Sequence, residues 1–476
     1  MPVFALPGDY GTGTFGKESY DFIDFLAKSK QDIWQVLPLG QTSFGDSPYQ
    51  TVSDKSLNPY FCDLEDLLAK NLITEQELDA EKRKVTKVDY AALYTRRYAL
   101  LKKAYARFTP TDEFLTFVNG KEYYDYAVFM TLKSVYGSRE NFPKELKIRK
   151  KSAIEKFVND RYDDILFYEF IQFILKNQYE KLRAYAKEKG IKILGDLPLY
   201  VAGDSVEVWT NPAAFQLDKD LNPEKVAGVP PDYFSADGQL WGNPVYDYNA
   251  MKKDGYRWWK ARLRFALNRF DYLRIDHFRG LDRYWAIPAD KRATEGEWEK
   301  ADGFDVLCNI PKNRLIAEDL GVIDDGVKDL MKRLSLRGTK VLLFAFNGDK
   351  DNPYLPENVG EKSVSYIGTH DNATAVGYIN SLDKAAKTAF CRAVAKYAKV
   401  KPSSLTSAKK IADALLGVLY SLDSEIVISS FADAALLGDK YRINVPSTTG
   451  NWTVRFQKKF FTDDLSQKLA ELSEKR

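Results

Sequence analysis

The sequence predicts an α/β chain folded as a (β/α)8 TIM barrel with helical and loop insertions. Eight short apolar runs alternate with helical stretches along its 476 residues. Three of these runs lead into acids followed by turn residues, at Asp276, Glu318 and Asp371. The C-terminal ends of barrel strands are where such folds place their chemistry. The only two histidines, His277 and His370, adjoin two of these acids. A doubly wound open sheet shows the same alternation and remains the alternative, because a strand count does not establish closure.

The elements follow in order. Val3-Phe4-Ala5-Leu6 before Pro7-Gly8 is the first expected strand, with Met1 inside it. Phe22, Ile23, Phe25 and Leu26 give the stretch from Ser19 to Ser29 an amphipathic helical period. Ile33 to Leu39, stopped by Pro38 and Gly40, is the second strand. From 64 to 185 the chain is charged, with Leu, Tyr and Phe at three- and four-residue spacing. That is too long for one crossover, so it predicts a helical insertion between strands two and three. Ile191 to Leu197 is the third strand. The stretch from Ala202 to Asn249 is rich in Gly, Pro, Asp and aromatics and looks irregular. Irregular loops of that length are usually functional, so 200–250 is expected to be an active-site lid between strands three and four. A helix over Trp258 to Phe270 leads to the strand ending at Asp276. A helical stretch and the strand ending at Glu318 follow. After another helix come strands over Val341 to Phe346, the run ending at Asp371 and Ile426 to Ser429. No short repeat or low-complexity linker interrupts the chain, so 1–476 is expected to form one catalytic barrel.

Bulk composition excludes several function classes. With 70 basic and 67 acidic side chains the net charge is +3, which recommends neither nucleic acid nor an acidic membrane as partner. The lysine-rich run from Pro143 to Lys151 fits a solvated helix end better than a nucleic-acid patch. Cys62, Cys308 and Cys391 are odd in number and far apart, without the spacing of a disulfide framework or zinc site. No apolar run approaches the roughly 18 residues of a membrane span. A soluble, cytoplasmic chain without metal or cofactor is the expectation. Aromatic residues are abundant, with 8 Trp, 29 Tyr and 28 Phe. Many stand beside Gly, Pro, Asn and Asp, where they either pack loops or form platforms for apolar ligand faces, including those of sugars.

Residues two apart share a face of a strand, so Arg274 and Asp276 point the same way. A guanidinium beside a carboxylate is expected to lower its pKa and keep it ionised, as a nucleophile requires. Convergence of Asp276, Glu318 and Asp371 would raise the pKa of at least one and leave a proton donor near neutral pH. A nucleophilic carboxylate with an acid partner, roughly 5–5.5 Å apart, is the arrangement of retaining glycosidases. Asp319 fits a helix cap instead. A divalent-metal barrel is the chemical competitor, and the adjacent Arg274 argues against it.

Further strings occur in order along nearly the whole chain: Gly45-Asp46-Ser47-Pro48-Tyr49-Gln50, Gly195-Asp196-Leu197-Pro198 and Gly228-Val229-Pro230-Pro231-Asp232-Tyr233-Phe234. They are followed by Gly238-Gln239-Leu240-Trp241-Gly242-Asn243-Pro244, Arg274-Ile275-Asp276-His277-Phe278-Arg279-Gly280, Ala317-Glu318-Asp319-Leu320-Gly321 and Gly368-Thr369-His370-Asp371-Asn372. With these strings the chain resembles the 4-α-glucanotransferases (amylomaltases) of the α-amylase superfamily. The resemblance implies that Asp276 is the nucleophile forming a glucosyl-enzyme, Glu318 the general acid and base, and Asp371 the stabiliser of the distorted −1 sugar. It implies that Arg274, His370, Asp196 and Tyr49 line that subsite, and that Tyr233, Phe234, Gln239 and Trp241 belong to a loop over the acceptor side. His277 is expected to support the strand end.

The resemblance further implies a maltooligosaccharide donor and acceptor, no cofactor, no metal and no obligate protein partner. An aromatic, Pro-rich lid that holds an acceptor and excludes water favours transfer over hydrolysis. A glucan hydrolase on the same barrel and a glucan-binding protein without catalysis are the alternatives. The chain departs from the family pattern at Ser430-Phe431-Ala432-Asp433, where a Gln-Asp pair is usual, and at Arg442 to Ser447. Its start within the first expected strand also differs, since family members usually carry residues before it.

Overall fold

The computed structural model describes residues 1–231 and 236–476. In chain order the strands are β1 (Ile33–Gln35), β2 (Lys192–Leu197), β3 (Lys225–Val229), β4 (Gln239–Pro244), β5 (Tyr272–Ile275) and β6 (Arg283–Pro288). They continue with β7 (Glu297–Lys300), β8 (Leu315–Ala317), β9 (Arg337–Val341), β10 (Ser363–Tyr366) and β11 (Ile426–Ile428). Seven of them form a parallel sheet in the order β1-β2-β5-β8-β9-β10-β11, curled into a nearly closed barrel with helices outside. β8 and β10 are buried along their whole length, as strands covered on both faces must be. Leu194, Ile316, Val364, Tyr366 and Ile426 pack together as an apolar layer contributed by four different barrel strands.

Residues Val3 to Leu6 do not form the expected first strand. Val3–Ala5 is a single 3-10 turn. Its carbonyls are taken locally and by loops: Leu6 N–H donates to Val3, Gly13 N–H to Phe4 and Phe456 N–H to Ala5. Pro2 and Pro7 flank the segment and offer no donors for a ladder. Met1 still meets β1, since its amino nitrogen donates to Gln35 O (3.2 Å) and Trp34 Nε1 donates to Met1 O (2.7 Å). The helices of 64–188 consequently lie between the first and second barrel strands of the structure.

Two other expectations are corrected. The apolar run Val341 to Phe346 is the end of a strand, β9, followed by a 3-10 turn at Leu342–Phe344. Its apolarity reflects burial, which a continuous run does not distinguish from extended backbone. The stretch expected to be irregular, 202–249, and the one expected to be helical, between Asp276 and the strand ending at Glu318, share a second sheet. It is antiparallel, in the order β4-β3-β6-β7. Alternating burial along Arg283–Pro288 carries the signature of such a half-covered strand.

The loop bearing Tyr49 is anchored by the long helix Tyr162–Glu188. Gln172 accepts from Leu57 N–H (2.8 Å) and donates to Leu57 O (3.0 Å), and Gln178 does the same with Asp63 (2.9 and 3.0 Å). Each glutamine thus mimics a strand partner for residues that have none. The fully buried Arg97 adds bonds to the carbonyls of Tyr60 and Tyr10. No helix among the described residues is long and apolar enough to cross a membrane.

Candidate active site

Strand parity assembles the site. Register pairs Leu194 with Tyr272 and Asp196 with Arg274, so Asp196, two residues beyond the interior Leu194, also faces inward. The same two-residue step carries Tyr272 and Arg274 to Asp276, and Ile316 to Glu318. The ladder extends one rung past the strands: Asp276 N–H donates to Leu197 O (3.0 Å) and Glu318 N–H to Ile275 O (3.1 Å). Polar groups thereby cap the apolar layer at the C-terminal mouth. The cleft above it, about 1830 Å³ with its open mouth included, is bordered by Tyr49, Gln239, Trp241, Asp276, Glu318, His370 and Asp371, among others.

Arg274 is the hub. Its Nε and Nη2 donate to Asp196 Oδ1 (3.0 Å) and Oδ2 (2.7 Å), a bidentate pair between two buried side chains. The same Nη2 donates to Asp276 Oδ1 (2.8 Å) and to the Tyr49 hydroxyl (3.0 Å). The sequence-based expectation that Arg274 keeps the Asp276 carboxyl low is not met. Burial pushes it up to about 7, Arg274 offsets this in part, and the charges of Asp196 and Asp371 raise it further. Arg274 is shared, and its bidentate contact goes to Asp196.

Glu318 has no such cation in contact. Its Oε2 accepts from His277 N–H (2.8 Å) and its Oε1 from Leu320 N–H (3.1 Å). His277 adopts a left-handed backbone, φ 49°, in the turn that brings its N–H to the carboxyl. Burial and the neighbouring Asp276 charge push Glu318 well above the ordinary carboxyl range. Of the two coupled acids, the one touching the guanidinium ionises first. Asp319 is no helix cap. It turns away and accepts from Thr339 N–H (2.6 Å), while Asp324 caps the following helix.

Asp371 lies five residues past β10. Asn444 Nδ2 donates to its Oδ1 (2.6 Å), and Arg442 Nη2 donates to its main-chain oxygen (2.6 Å). His370 Nε2 stands 3.0 Å from the Tyr49 hydroxyl and 3.5 Å from Asp371 Oδ1. The Tyr49 hydroxyl donates to Asp196 Oδ2 (2.7 Å), so the His370 contact is a donation from the ring. Burial lowers the His370 pKa, and the neutral ring carries its proton on Nε2. The Tyr49 and His370 rings stack at 5.4 Å, with Trp452 5.8 Å from each.

Gln239 and Trp241 lie on β4 and border the cleft, joined by Trp241 Nε1 donating to Gln239 Oε1 (3.1 Å). Tyr233 and Phe234 lie outside the described residues. Sequence reasoning missed Asn444, Arg442 and Trp452, which lie beyond the last strand. The string from Arg442 registered only as a departure. It also missed the link between Gln50 and Asn243 (2.9 Å), which ties the Tyr49 loop to β4. Among the described residues, no grouping of three or more His, Cys, Asp or Glu side chains is arranged to hold a metal ion.

Comparison with known proteins points to one family. The profile of the 4-alpha-glucanotransferases matches residues 1–461. A 4-alpha-glucanotransferase of Clostridium butyricum is 38% identical over 489 aligned residues, covering 99% of each chain. One from Aquifex aeolicus is also 38% identical, covering 97% of this chain and 95% of its own. The structure of a Streptococcus agalactiae amylomaltase in complex with acarbose superposes with a TM-score of 0.93 at 35% identity, covering 99% of this chain and 97% of that one. A Corynebacterium glutamicum amylomaltase shares the fold at 18% identity, with a TM-score of 0.82 over 99% of this chain and 74% of its own.

Proposed function

The chain belongs to the 4-alpha-glucanotransferase family, and from that membership we propose that Asp276, Glu318 and Asp371 divide the steps of its retaining transfer reaction. The enzyme moves α-1,4-glucan segments from one chain to another. In the first half, the Asp276 carboxylate attacks the anomeric carbon of the donor. The glycosidic bond breaks, and the Glu318 proton passes to the leaving oxygen. In the second half, an acceptor hydroxyl gives its proton to Glu318 as its oxygen attacks the same carbon. The bond to Asp276 then breaks, and two inversions give net retention.

The observation that carries this assignment is the unequal environment of two neighbouring acids. Asp276 touches Arg274 and ionises first, whereas Glu318 has only backbone donors and keeps its proton near neutral pH. Asp371, fixed by Asn444, is assigned to the hydroxyls of the distorted donor sugar. Arg274, Asp196, Tyr49 and His370 form the wall of that subsite. Residues 200–250 are assigned as the lid, with Gln239 and Trp241 on the acceptor side. Donor and acceptor are maltooligosaccharides. The Streptococcus agalactiae relative supports a carbohydrate ligand, since its structure holds acarbose.

Incubation with maltotriose tests the proposal. A transferase acting on maltooligosaccharides yields glucose together with a ladder of longer chains. Shorter products alone would remove the transfer reading, and no products would remove maltotriose as a substrate. Asp276→Asn is expected to abolish both outcomes while the protein stays folded by circular dichroism.

A further inference from the structure

Trp241, assigned to the acceptor side, sits where β4 leaves its ladder. Register pairs Val226 of β3 with Pro244 and Gly228 with Leu240, so two steps along β3 (226 to 228) answer four along β4 (244 to 240). Trp241, Gly242 and Asn243 form the resulting bulge, with Gly242 in the left-handed region at φ 77°. A bulge gives up ladder hydrogen bonds and re-aims its side chains, so other contacts have to set its geometry. Side-chain bonds hold this one. Trp241 Nε1 donates to Gln239 Oε1 (3.1 Å), and Asn243 Nδ2 donates to Val201 O (2.9 Å). From the loop of Tyr49, Gln50 Nε2 donates to Asn243 Oδ1 (2.9 Å), and Asn243 Nδ2 returns a longer bond to Gln50 Oε1 (3.4 Å). Asn243 is 4% exposed, and both amides border the cleft.

The loop is the fixed side of this joint. Gln50 O accepts from Ser43 N–H (2.8 Å) and Ser43 Oγ (2.9 Å), and Thr42 bridges Thr51. Tyr49 is held separately, by Asp196 (2.7 Å) and Arg274 (3.0 Å). The bulge of β4 is the side that needs holding. We infer that the Gln50–Asn243 amide pair positions Trp241 for the acceptor sugar, so that Gln50 and Asn243 are positioning residues setting how often the glycosyl-enzyme is resolved by sugar rather than water. This inference rests on the transferase reading and on the acceptor-side assignment of Trp241, and it adds two residues that the reading does not use. An indole offers a flat apolar face to the C–H side of a sugar ring, and that contact depends on its tilt. An acceptor held loosely loses its advantage over water, because transfer needs the attacking hydroxyl in near-attack geometry. Cleavage of the donor does not pass through Gln50, since Tyr49 keeps its own bonds.

The test uses α-maltosyl fluoride as donor and excess glucose as acceptor. The maltosyl group passes either to glucose, giving maltotriose, or to water, giving maltose, and the first-turnover burst of fluoride reports the donor half alone. Gln50→Met keeps the length of the side chain and removes its amide. The initial ratio of maltotriose to maltose should fall about tenfold, the loss typical of one or two neutral hydrogen bonds. The rate of the burst should stay within about twofold of wild type. Asn243→Ala should behave alike, and the double variant should lose no more than the worse single one, as two halves of one contact do. A burst that falls together with the ratio would make the pair merely structural and overturn the inference. It is equally overturned by an unchanged ratio, which would mean the bulge holds Trp241 without the pair, or by losses that add, which would mean each amide meets the sugar alone. Should Asn243→Ala unfold through the lost bond to Val201, the ratio and burst of Gln50→Met still decide. A wild-type enzyme that gives maltose alone would instead remove the transferase reading itself.

Discussion

Asp196→Asn tests how one guanidinium is divided between two acids. Arg274 Nη2 stands 2.7 Å from Asp196 Oδ2 and 2.8 Å from Asp276 Oδ1, so those oxygens are no more than about 5.5 Å apart. At that separation and an effective dielectric of about 20, two negative charges repel by about 3 kcal/mol, or about two pK units. The Asp276 side chain is 29% exposed to the cleft, and water there screens part of the repulsion, leaving about one unit. Removing the Asp196 charge therefore lowers the Asp276 pKa from about 7 toward about 6. As the proposed nucleophile Asp276 acts ionised, so activity is expected to be lost as pH falls through its pKa. A lower pKa moves the acid limb of kcat/KM to lower pH by about one unit. The substituted amide oxygen still accepts from Arg274 Nε, which keeps the guanidinium in place. Fluoride release from α-maltosyl fluoride across about pH 4.5 to 8.5 measures the limb without requiring proton transfer to the leaving group. The plateau should fall as well, since contacts to the sugar are lost, and only the midpoint bears on the argument. An acid limb that stays in place or moves upward would falsify the shared-cation account.

Glu318→Gln should lower kcat on maltotriose by about 1000-fold while lowering the rate of the first-turnover burst of fluoride by less than tenfold, because fluoride needs no proton to leave and only the later turnovers need the base; equal losses in both would remove Glu318 as the acid. Asn444→Ala deletes the donor to Asp371 Oδ1 and should cost about tenfold in kcat/KM. A thermal midpoint unchanged alongside unchanged kinetics would show that Asn444 does not position Asp371. Glu207→Gln addresses stability. Burial pushes the Glu207 carboxyl up to about 7, with Ser53 and Asp54 donating to its Oε1 and its Oε2 unpaired. The native state holds this proton while an unfolded carboxyl releases it near pH 4.3, so the term weakens folding as pH rises from about 4 to about 7. The substitution should shrink the stability difference between pH 5 and pH 8 by about 2 kcal/mol in denaturant unfolding; an unaltered difference would mean that Glu207 titrates normally.

The barrel and its acids were legible in the sequence because both follow from parity and burial. A short apolar run followed by an acid and a turn places that acid one step past a buried strand, as at Ile275-Asp276 and Ala317-Glu318. The second sheet was not legible at 225–244, where Gly and Pro masked two short strands, one of which, β3, has its second partner about 60 residues further on. Nor was the first segment, where Val3 to Leu6 has strand-like residues but donates its hydrogen bonds to a turn. Asn444 escaped for a different reason. Nothing in its local pattern marks it, and its role comes from its backbone N–H meeting His370 O (3.1 Å), a pairing across 74 residues that carries its amide to Asp371.

The misjudged acidity of Asp276 has the same origin and bears on mechanism. Sequence displays the neighbour two residues away, Arg274, and a lone guanidinium predicts a carboxylate ionised far below neutrality. It does not display the register partner, Asp196, which lies 78 residues earlier and takes two of the guanidinium's hydrogen bonds. A nucleophile held very low would be a weak base, tightly paired and slow to attack. One left near neutrality by a shared cation ionises readily yet keeps its basicity. In the proposed mechanism it would also lose its charge in the glycosyl-ester intermediate without stranding Arg274, because Asp196 would continue to balance that cation through the whole cycle. On this argument Asp196 sets the chemistry of Asp276 from the strand beside it, and the two should be exchanged or tested together.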